Sequence, residues 1–136
     1  MTAKQWLSRG YYLKQEKAQL ERLRNELYER LTNVTQSLDG IPGGTKDPHK
    51  FDALIALNTE ISQREAALDR IRLEIFHAIQ ELQDNRHRVV LTSRYLECMT
   101  WQNIAEKMSY DIRHVQRIHG MALVAIEPII KRGGEE

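Results

Sequence analysis

Apolar residues recur at helical spacing along most of the chain, and the stretch between Thr100 and Ile126 combines two such patterns with a short break between them. Thr100 can cap a helix, because its hydroxyl can accept a hydrogen bond from an amide two or three residues further on. The residues that then share one helical face are Trp101, Ile104, Ala105 and Met108. Residues 109–111 break the period, and Asp111 is a candidate cap for the next helix. The pattern predicts two short helices joined by a tight turn.

The second of these helices is predicted to bury one face and to expose the other. Its apolar positions are Val115, Ile118, Ala122 and Ile126. Its opposite face presents Ile112, Arg113, Gln116 and Arg117 to solvent. Arginine and glutamine bond bidentately to guanine and adenine edges, and an apolar side chain such as Ile112 can contact a thymine methyl. We therefore predict a helix-turn-helix whose second helix enters the major groove of duplex DNA.

Basic side chains and helix N-termini around this motif are candidates for contacts to DNA phosphates, because both position such domains on the nucleic-acid backbone. The candidates are Arg86, Arg88, Thr100, Trp101, Gln102, Lys107 and His114. For Trp101, a place in the hydrophobic core is the stronger expectation. The sequence alone leaves both alternatives for Trp101 open, the core and a phosphate contact.

Two seven-residue repeats precede the motif and predict two long helices. The first repeat occupies Trp6, Leu13, Leu20, Leu27 and Val34, and the second occupies Leu54, Ile61, Leu68, Ile75 and Leu82. Residues 39–49 hold two prolines and three glycines, which together cannot continue a helix. Two helices of similar length on either side of such a connector are expected to fold back on each other as an antiparallel coiled-coil hairpin.

The expected fold is therefore all-α and has three parts. Residues 1–83 form the hairpin, residues 84–130 form the helix-turn-helix domain, and residues 131–136 form a frayed tail. Pro128 disfavours an unbroken continuation of the last helix. A two-helix hairpin has a thin core and leaves apolar edges exposed, so we expect a homodimer through the hairpins. A dimer also suits DNA with paired half-sites.

The charge distribution agrees with this division. The net charge of the chain is +1, but residues 84–132 carry eight Lys and Arg against five Asp and Glu. Residues 1–83 carry twelve of each sign. A positive surplus in the C-terminal part is consistent with phosphate contact, although its size makes it weak support.

Other classes of function find little support in the residues. Cys98 is the single cysteine, so no internal disulfide is available and a reducing cytoplasmic setting is expected. No apolar run is long enough to cross a membrane. Neither a nucleophile with an adjacent base nor a set of metal ligands is recognisable, and Gly43–Lys46 lacks the spacing of a phosphate-binding loop. We expect no catalysis, no metal and no cofactor.

The C-terminal part resembles sigma factor region 4. The residues that carry the resemblance are Leu91, Arg94, Tyr95, Thr100, Ile104, Ala105, Met108, Asp111 and Val115, at their spacing in this chain. With its long upstream helices, the chain resembles the sigma-region-4-like proteins of Firmicutes phages and prophages, the group near the RinA and ArpU late-transcription regulators. Residues 82–126 carry the specific part. Two positions depart from the pattern: Asn103 stands where the family usually has Glu, and Ser109 where it usually has Gly.

The resemblance implies a phage or prophage late-gene activator that acts in the bacterial host cytoplasm. Its partners would be double-stranded DNA and the host RNA polymerase. Two alternatives stay open. One is a module that docks on RNA polymerase or a sigma factor without contacting bases. The other is a phage DNA-packaging subunit resembling a small terminase, in which the hairpins assemble a ring.

Overall fold

The structure is a computed structural model that describes residues 1–37 and 48–134. Every regular element in these ranges is helical, which confirms the expected all-α class. The helices are α1 (Ala3–Leu7), α2 (Arg9–Ser37), α3 (Asp52–Gln80), α4 (Asn85–Leu91), α5 (Trp101–Met108) and α6 (Ile112–Gly134). A π-helical turn, Thr92–Leu96, continues α4. Most of the connector expected at residues 39–49, including Gly43–Lys46, lies outside the described ranges.

Two compact units make up the chain. One contains residues 1–12 and 68–134, and the other contains residues 13–67. Residues 1–12 and 68–83, which are expected in the hairpin, group instead with the C-terminal helices. The physical reason is burial, because Ala3 and Leu7 of α1 and Ile75 and Ile79 of α3 share a core with α6.

The unit of residues 1–12 and 68–134 holds two hydrophobic cores that meet on α6. The first core consists of Ala3, Leu7, Ile75, Ala78, Ile79, Leu82, Leu91, Ala122 and Ile126. The second core consists of Val90, Ile104, Ala105, Val115 and Ile118. Helices α1, α4 and α5 each pack against α6. Because α6 contributes to both cores, it is the element that fixes the positions of the short helices around it.

The seven-residue repeat predicts one continuous first helix, but the helix breaks after Leu7. Thr2 and Gln5 form a reciprocal capping box at the start of α1. Ser8 ends α1, and its hydroxyl donates to the carbonyl of Lys4 at 2.6 Å. The Ser8 carbonyl in turn accepts from the amide of Tyr11 at 3.0 Å. A serine that competes for backbone hydrogen bonds can interrupt a helix without disturbing the apolar repeat.

The last helix does not end near Pro128, as expected from the sequence: α6 passes through Pro128 and ends at Gly134. The expectation of a tail from residue 131 is wrong for the described residues 131–134. Proline lacks the amide hydrogen that would bond the carbonyl four residues earlier, at Val124. Val124 is 72% exposed, so this turn of α6 faces water. Ile129 and Ile130 pack against the first core and hold the helix beyond Pro128.

In the unit of residues 13–67, α2 and α3 run antiparallel. Lys17 pairs with Glu65 at 3.3 Å, and Arg24 donates to the Asn58 side-chain oxygen at 3.4 Å. As the residue number rises on one helix, it falls on the other, which defines the antiparallel direction. Ile61 is the only buried side chain among the described residues of this unit. Its core is therefore much thinner than that of the other unit.

Among the helices of residues 1–37 and 48–134, none combines the length and apolar character needed to cross a bilayer.

Candidate nucleic-acid interface

The turn between α5 and α6 is built from local hydrogen bonds. The Thr100 hydroxyl accepts from the amide of Asn103 at 3.2 Å and caps the start of α5. At the other end, Ser109 takes the left-handed conformation with φ 58° and ψ 40°. The amide of Tyr110 then donates to the carbonyl of Ala105 at 2.9 Å, which satisfies a carbonyl at the helix end. Ser109 thus adopts, as a non-glycine residue, the conformation that glycine usually supplies at this place.

Helix α6 turns one face into the protein and the other into solvent. Val115, Ile118, Ala122 and Ile126 are fully buried, as their spacing predicts. The base-contact candidates Arg113, Gln116 and Arg117 are exposed, and Ile112 is 39% exposed. Among the described residues, none is bonded to the side chains of Arg113, Gln116 or Arg117 by a hydrogen bond or an ion pair. These three polar side chains are available to a partner.

The phosphate-contact candidates fall into two groups. Thr100 and Gln102 are exposed at the N-terminal end of α5, and the ring of His114 lies edge-on against Tyr110 with centroids 4.6 Å apart. Arg86 is exposed and pairs with Asp84 at 3.4 Å. Arg86, Thr100 and Gln102 are therefore exposed to a phosphate, whereas His114 is half-buried.

The remaining candidates have internal partners. Arg88 donates to the carbonyl of Leu82 and to the side-chain oxygen of Asn85. Lys107 donates to the buried hydroxyl of Ser93 at 3.1 Å, and its amine lies 3.5 Å from Glu97. These contacts tie α4 to the preceding segment and α5 to the π-helical turn. Both cations therefore also hold the helices together.

Trp101 lies within a cluster of aromatic and basic side chains. The Arg94 guanidinium lies over its ring at 4.4 Å, and the ring of His119 meets it edge-on at 4.7 Å. Trp101 is half-buried beside the second core, in agreement with the stronger of the two expectations for it. Arg94 also donates to the carbonyl of Met99 at 3.0 Å. A phosphate could therefore contact Trp101 only at the part of its side chain that remains exposed.

A contact between Tyr95 and His119 is the feature that sequence reasoning missed. The Tyr95 hydroxyl lies 2.7 Å from Nε2 of His119, and the two rings stack with centroids 5.7 Å apart. Burial lowers the pKa of His119 from 6.5 to about 4, and the positive charges of Lys4 and Arg94 act in the same direction. Burial also raises the pKa of Tyr95. The pair is therefore neutral at pH 7 and connects the π-helical turn to α6.

Asp84 organises the start of α4. Its carboxylate accepts from the backbone amide of Arg86 at 2.8 Å and pairs with the Arg86 side chain. The hydrogen bonds from Arg86 hold the pKa of Asp84 below its usual value. The carboxylate is therefore ionised at pH 7 and holds Arg86 at the surface near the α5–α6 turn.

The arrangement belongs to an all-α protein in which two helices are joined by a tight turn and the second presents unpaired basic and amide side chains. No protein family, curated protein or solved structure matches the chain in comparisons with known proteins.

Proposed function

We propose that the chain is a sequence-specific DNA-binding transcription regulator, and that α5 and α6 act as a helix-turn-helix. The observation that carries the proposal is the exposed face of α6, where Arg113, Gln116 and Arg117 have no partner among the described residues. Side chains of this type on the first turns of a recognition helix contact base edges. The opposite face of the same helix is anchored in two cores, so its position is fixed before DNA arrives.

In this proposal, Arg113 and Arg117 donate to guanine, Gln116 bonds adenine, and Ile112 contacts a thymine methyl. Such contacts discriminate between bases, whereas phosphate contacts fix the register of the protein on the duplex. Arg86, Thr100 and Gln102 are the phosphate contacts best supported by their exposure, and the half-buried His114 is a fourth candidate. Arg88 and Lys107 contribute mainly by positioning α4 and α5, because their side chains already bond to neighbouring segments.

The resemblance to sigma region 4 extends the proposal to a biological role. Residues 82–126 carry that resemblance, and they include the whole α5–α6 turn. We propose a phage or prophage late-gene activator on this basis. RNA polymerase of the bacterial host would then be a further partner of the same domain.

We also propose that the protein is a homodimer through the coiled-coil hairpin of residues 13–67. Within the described part of that unit, only Ile61 is buried, while Leu23 is 52% and Ile55 is 61% exposed. Long helices gain most of their stability from packing of an apolar face. A second hairpin would cover these side chains. It would also place two recognition helices on paired half-sites.

DNA binding tests the proposal directly. Duplexes selected from a random pool by the parent chain are titrated at several salt concentrations with the parent, Arg113→Ala and Arg117→Ala. We expect each variant to lose about tenfold to a hundredfold in affinity for the selected sequence, corresponding to ~1–3 kcal/mol per lost base contact. Affinity for unrelated duplexes should fall much less, because base contacts supply little of nonspecific binding.

Arg70→Ala is the matched control, because Arg70 is an exposed arginine on α3 and the change removes the same charge. It should bind the selected duplex nearly as the parent does. The proposal is wrong if Arg113→Ala and Arg117→Ala bind the selected and unrelated duplexes with the parent's ratio of affinities.

A protein-docking role is the second candidate, and a specific observation favours it. Met121 is 49% and Val124 is 72% exposed, and both lie on α6 beyond its polar first turns. Exposed apolar side chains in succession on one helix are typical of protein interfaces. In this role, α6 would bind RNA polymerase or a sigma factor. Met121→Ser and Val124→Ser would then abolish polymerase binding and leave DNA affinity unchanged.

A further inference from the structure

A cavity of about 470 Å³ opens within the unit of residues 1–12 and 68–134. The N-terminal segment forms one wall, and the π-helical turn with the start of α5 forms the other. The side chains that matter for its chemistry are Lys4, Tyr11, Tyr12, Arg94, Thr100 and Trp101. Ligand pockets in proteins typically enclose about 300–1,000 Å³, so this cavity has the size of a small-molecule site.

The charge of the cavity is positive. Two cations, Lys4 and Arg94, line it, and none of the lining residues is acidic. Among residues 1–37 and 48–134, no carboxylate forms an ion pair with either cation. A cavity with two uncompensated cations attracts an anion, and a partly enclosed site strengthens that attraction relative to open water.

Arg94 is held in a fixed orientation. Its Nη1 donates to the carbonyl of Met99 at 3.0 Å, and its guanidinium lies over the Trp101 ring at 4.4 Å. A guanidinium has five N–H donors, and these contacts leave others for an anion. Because the orientation is set before a ligand arrives, little side-chain entropy is lost on binding.

The start of α5 adds to the positive field. Thr100 accepts the amide of Asn103, while the amides of Trp101 and Gln102 lie in the first turn, where a helix has no internal acceptors. Behind this wall, burial lowers the pKa of His119, and the positive charges of Lys4 and Arg94 lower it further. The first turn of α5 and the two cations together make the cavity attractive to an anion.

Aromatic rings also line the cavity. The Tyr11 and Tyr12 rings meet edge to face with centroids 5.7 Å apart, and both are exposed at the opening. Trp101 lines the opposite wall. Aromatic side chains offer flat faces on which planar rings stack, with a gain of about 1–3 kcal/mol per stacked base.

We propose that this cavity binds a planar ring that carries an acidic group, of the class of a nucleoside monophosphate. Lys4 and Arg94 would bind the phosphate, and Tyr11, Tyr12 and Trp101 would contact the ring. The same chemistry has two sources: a free nucleotide and a nucleotide within a nucleic-acid strand. None of the base-contact candidates on α6 lines the cavity, whereas the phosphate-contact candidates Thr100 and Trp101 do. The proposal therefore does not require base contact by α6.

Fluorescence of Trp101 provides the measurement. The chain has two tryptophans, so the full-length Trp6→Phe protein leaves Trp101 as the single reporter. This protein is titrated with adenosine monophosphate, adenosine and inorganic phosphate. We expect a saturable change with adenosine monophosphate and at least tenfold weaker binding of adenosine and of phosphate, because each lacks half of the contacts. Equal affinity for inorganic phosphate and adenosine monophosphate would overturn the assignment of the ring.

Variants at the cavity and matched variants elsewhere separate binding from a general effect of charge. In the Trp6→Phe background, Lys4→Gln should weaken adenosine monophosphate about tenfold, as expected for a lost charge-assisted hydrogen bond. Tyr12→Ala should weaken it about fivefold or more through lost stacking. Lys14→Gln and Tyr28→Ala are the controls, since both residues are exposed in the other unit.

Among residues 1–37 and 48–134, none forms a hydrogen bond or an ion pair with the Lys4 amine. The backbone carbonyl of Lys4 is unchanged in the variant, so α1 should fold normally. No saturable fluorescence change with adenosine monophosphate overturns the proposal. Equal affinities of Lys4→Gln and Lys14→Gln overturn it as well.

A final arm distinguishes the two sources. Adenosine monophosphate is titrated again with a saturating concentration of a single-stranded oligonucleotide, whose bases are free to stack on aromatic side chains. Displacement of the nucleotide by the single strand identifies the nucleic-acid strand as the source, and simultaneous binding identifies the free nucleotide. If the Arg113→Ala and Arg117→Ala variants lose DNA but keep the fluorescence change, both proposals stand separately. If they keep DNA and the nucleotide does not bind, only the cavity proposal fails.

Discussion

The two faces of α6 differ in what they contact, although they belong to the same helix. Val115, Ile118 and Ile126 are completely buried and link two hydrophobic cores. Arg113 and Arg117 are exposed and have no partner among the described residues. The buried face therefore stabilises the fold, and the exposed face presents side chains that can bind a ligand. The comparison predicts that substitutions will separate cleanly into those that affect unfolding and those that affect binding.

The largest effect on stability is expected for Ile118→Ala. Ile118 is fully buried in the second core, and loss of such a side chain costs ~2–5 kcal/mol through lost burial and the cavity left behind. Urea unfolding followed by circular dichroism measures the change. Val124→Ala on the opposite side of the same helix should change the free energy of unfolding by less than ~0.5 kcal/mol. Equal losses for the two variants would contradict the division of α6 into two faces.

The next effect is a pH dependence that originates at His119. The unfolded chain protonates this side chain near pH 6.5, whereas the folded protein does so only near pH 4. Between these values the unfolded state binds more protons, so stability falls as the pH falls. The loss reaches up to about 3 kcal/mol, because each unit of pKa difference corresponds to about 1.4 kcal/mol.

Free energies of unfolding at pH 7 and pH 4.5 test this expectation. The parent should lose more stability between the two pH values than His119→Gln, since other titrating groups contribute equally to both proteins. An identical loss in parent and variant would show that His119 is not held neutral by its surroundings.

A smaller effect is expected for Thr100→Ala at the start of α5. The Thr100 hydroxyl accepts from the amide of Asn103, and removal of an N-cap typically costs ~1 kcal/mol. Thr100→Ser keeps the hydroxyl and should retain most of the parent's stability. Chemical denaturation at pH 7 gives both values. If Thr100→Ala and Thr100→Ser lose the same amount, the cap does not contribute.

The smallest effect on stability is expected for Arg113→Ala and Arg117→Ala. Both side chains lie on the exposed face of α6 and bond to no described residue, so each variant should unfold within ~0.5 kcal/mol of the parent. Thermal and urea unfolding provide the measurement. A loss of more than ~1 kcal/mol would mean that these arginines support the fold, and the contrast between the two faces would weaken.

Periodicity predicts much of this fold, since the spacing of Ile104, Ala105, Val115 and Ile118 is sufficient to place them on buried faces. The break at Ser8 could not be predicted, because the apolar repeat continues across it. The prediction that α6 ends near Pro128 is wrong because proline disfavours a helix only locally. Burial of Ile126 and packing of Ile129 extend α6 beyond it. Tertiary packing outweighs local preference at this position.

The candidate site could also be predicted only in part from the sequence. The exposure of Arg113, Gln116 and Arg117 follows from the helical period alone. The contact of Tyr95 with His119 joins residues 24 positions apart and has no local signal. The cavity lined by Lys4 and Arg94 likewise depends on how the N-terminal segment packs against the rest of its unit. Side chains brought together by tertiary contacts are beyond a single-sequence pattern.

The unit of residues 13–67 differs from α6 in how few of its side chains are buried. It contains most of α2 and the first half of α3, the two longest helices of the described residues, but only Ile61 is buried among its described residues. Length without burial does not stabilise a helix pair. Sedimentation equilibrium should therefore give a dimer mass, and Ile55→Glu together with Leu23→Glu should yield a monomer. A ring of eight or more copies would favour the packaging alternative.

The most direct test of base contact by α6 combines a change in the protein with a change in the DNA. Guanines of a selected duplex are replaced one at a time by 7-deazaguanine, which lacks the N7 acceptor in the major groove. The parent should lose affinity at one or two guanines, and Arg113→Ala or Arg117→Ala should lose nothing further at its own guanine. Coupling of ~1–3 kcal/mol in this cycle is the predicted result. Fully additive losses at every guanine would contradict base contact by the exposed face of α6.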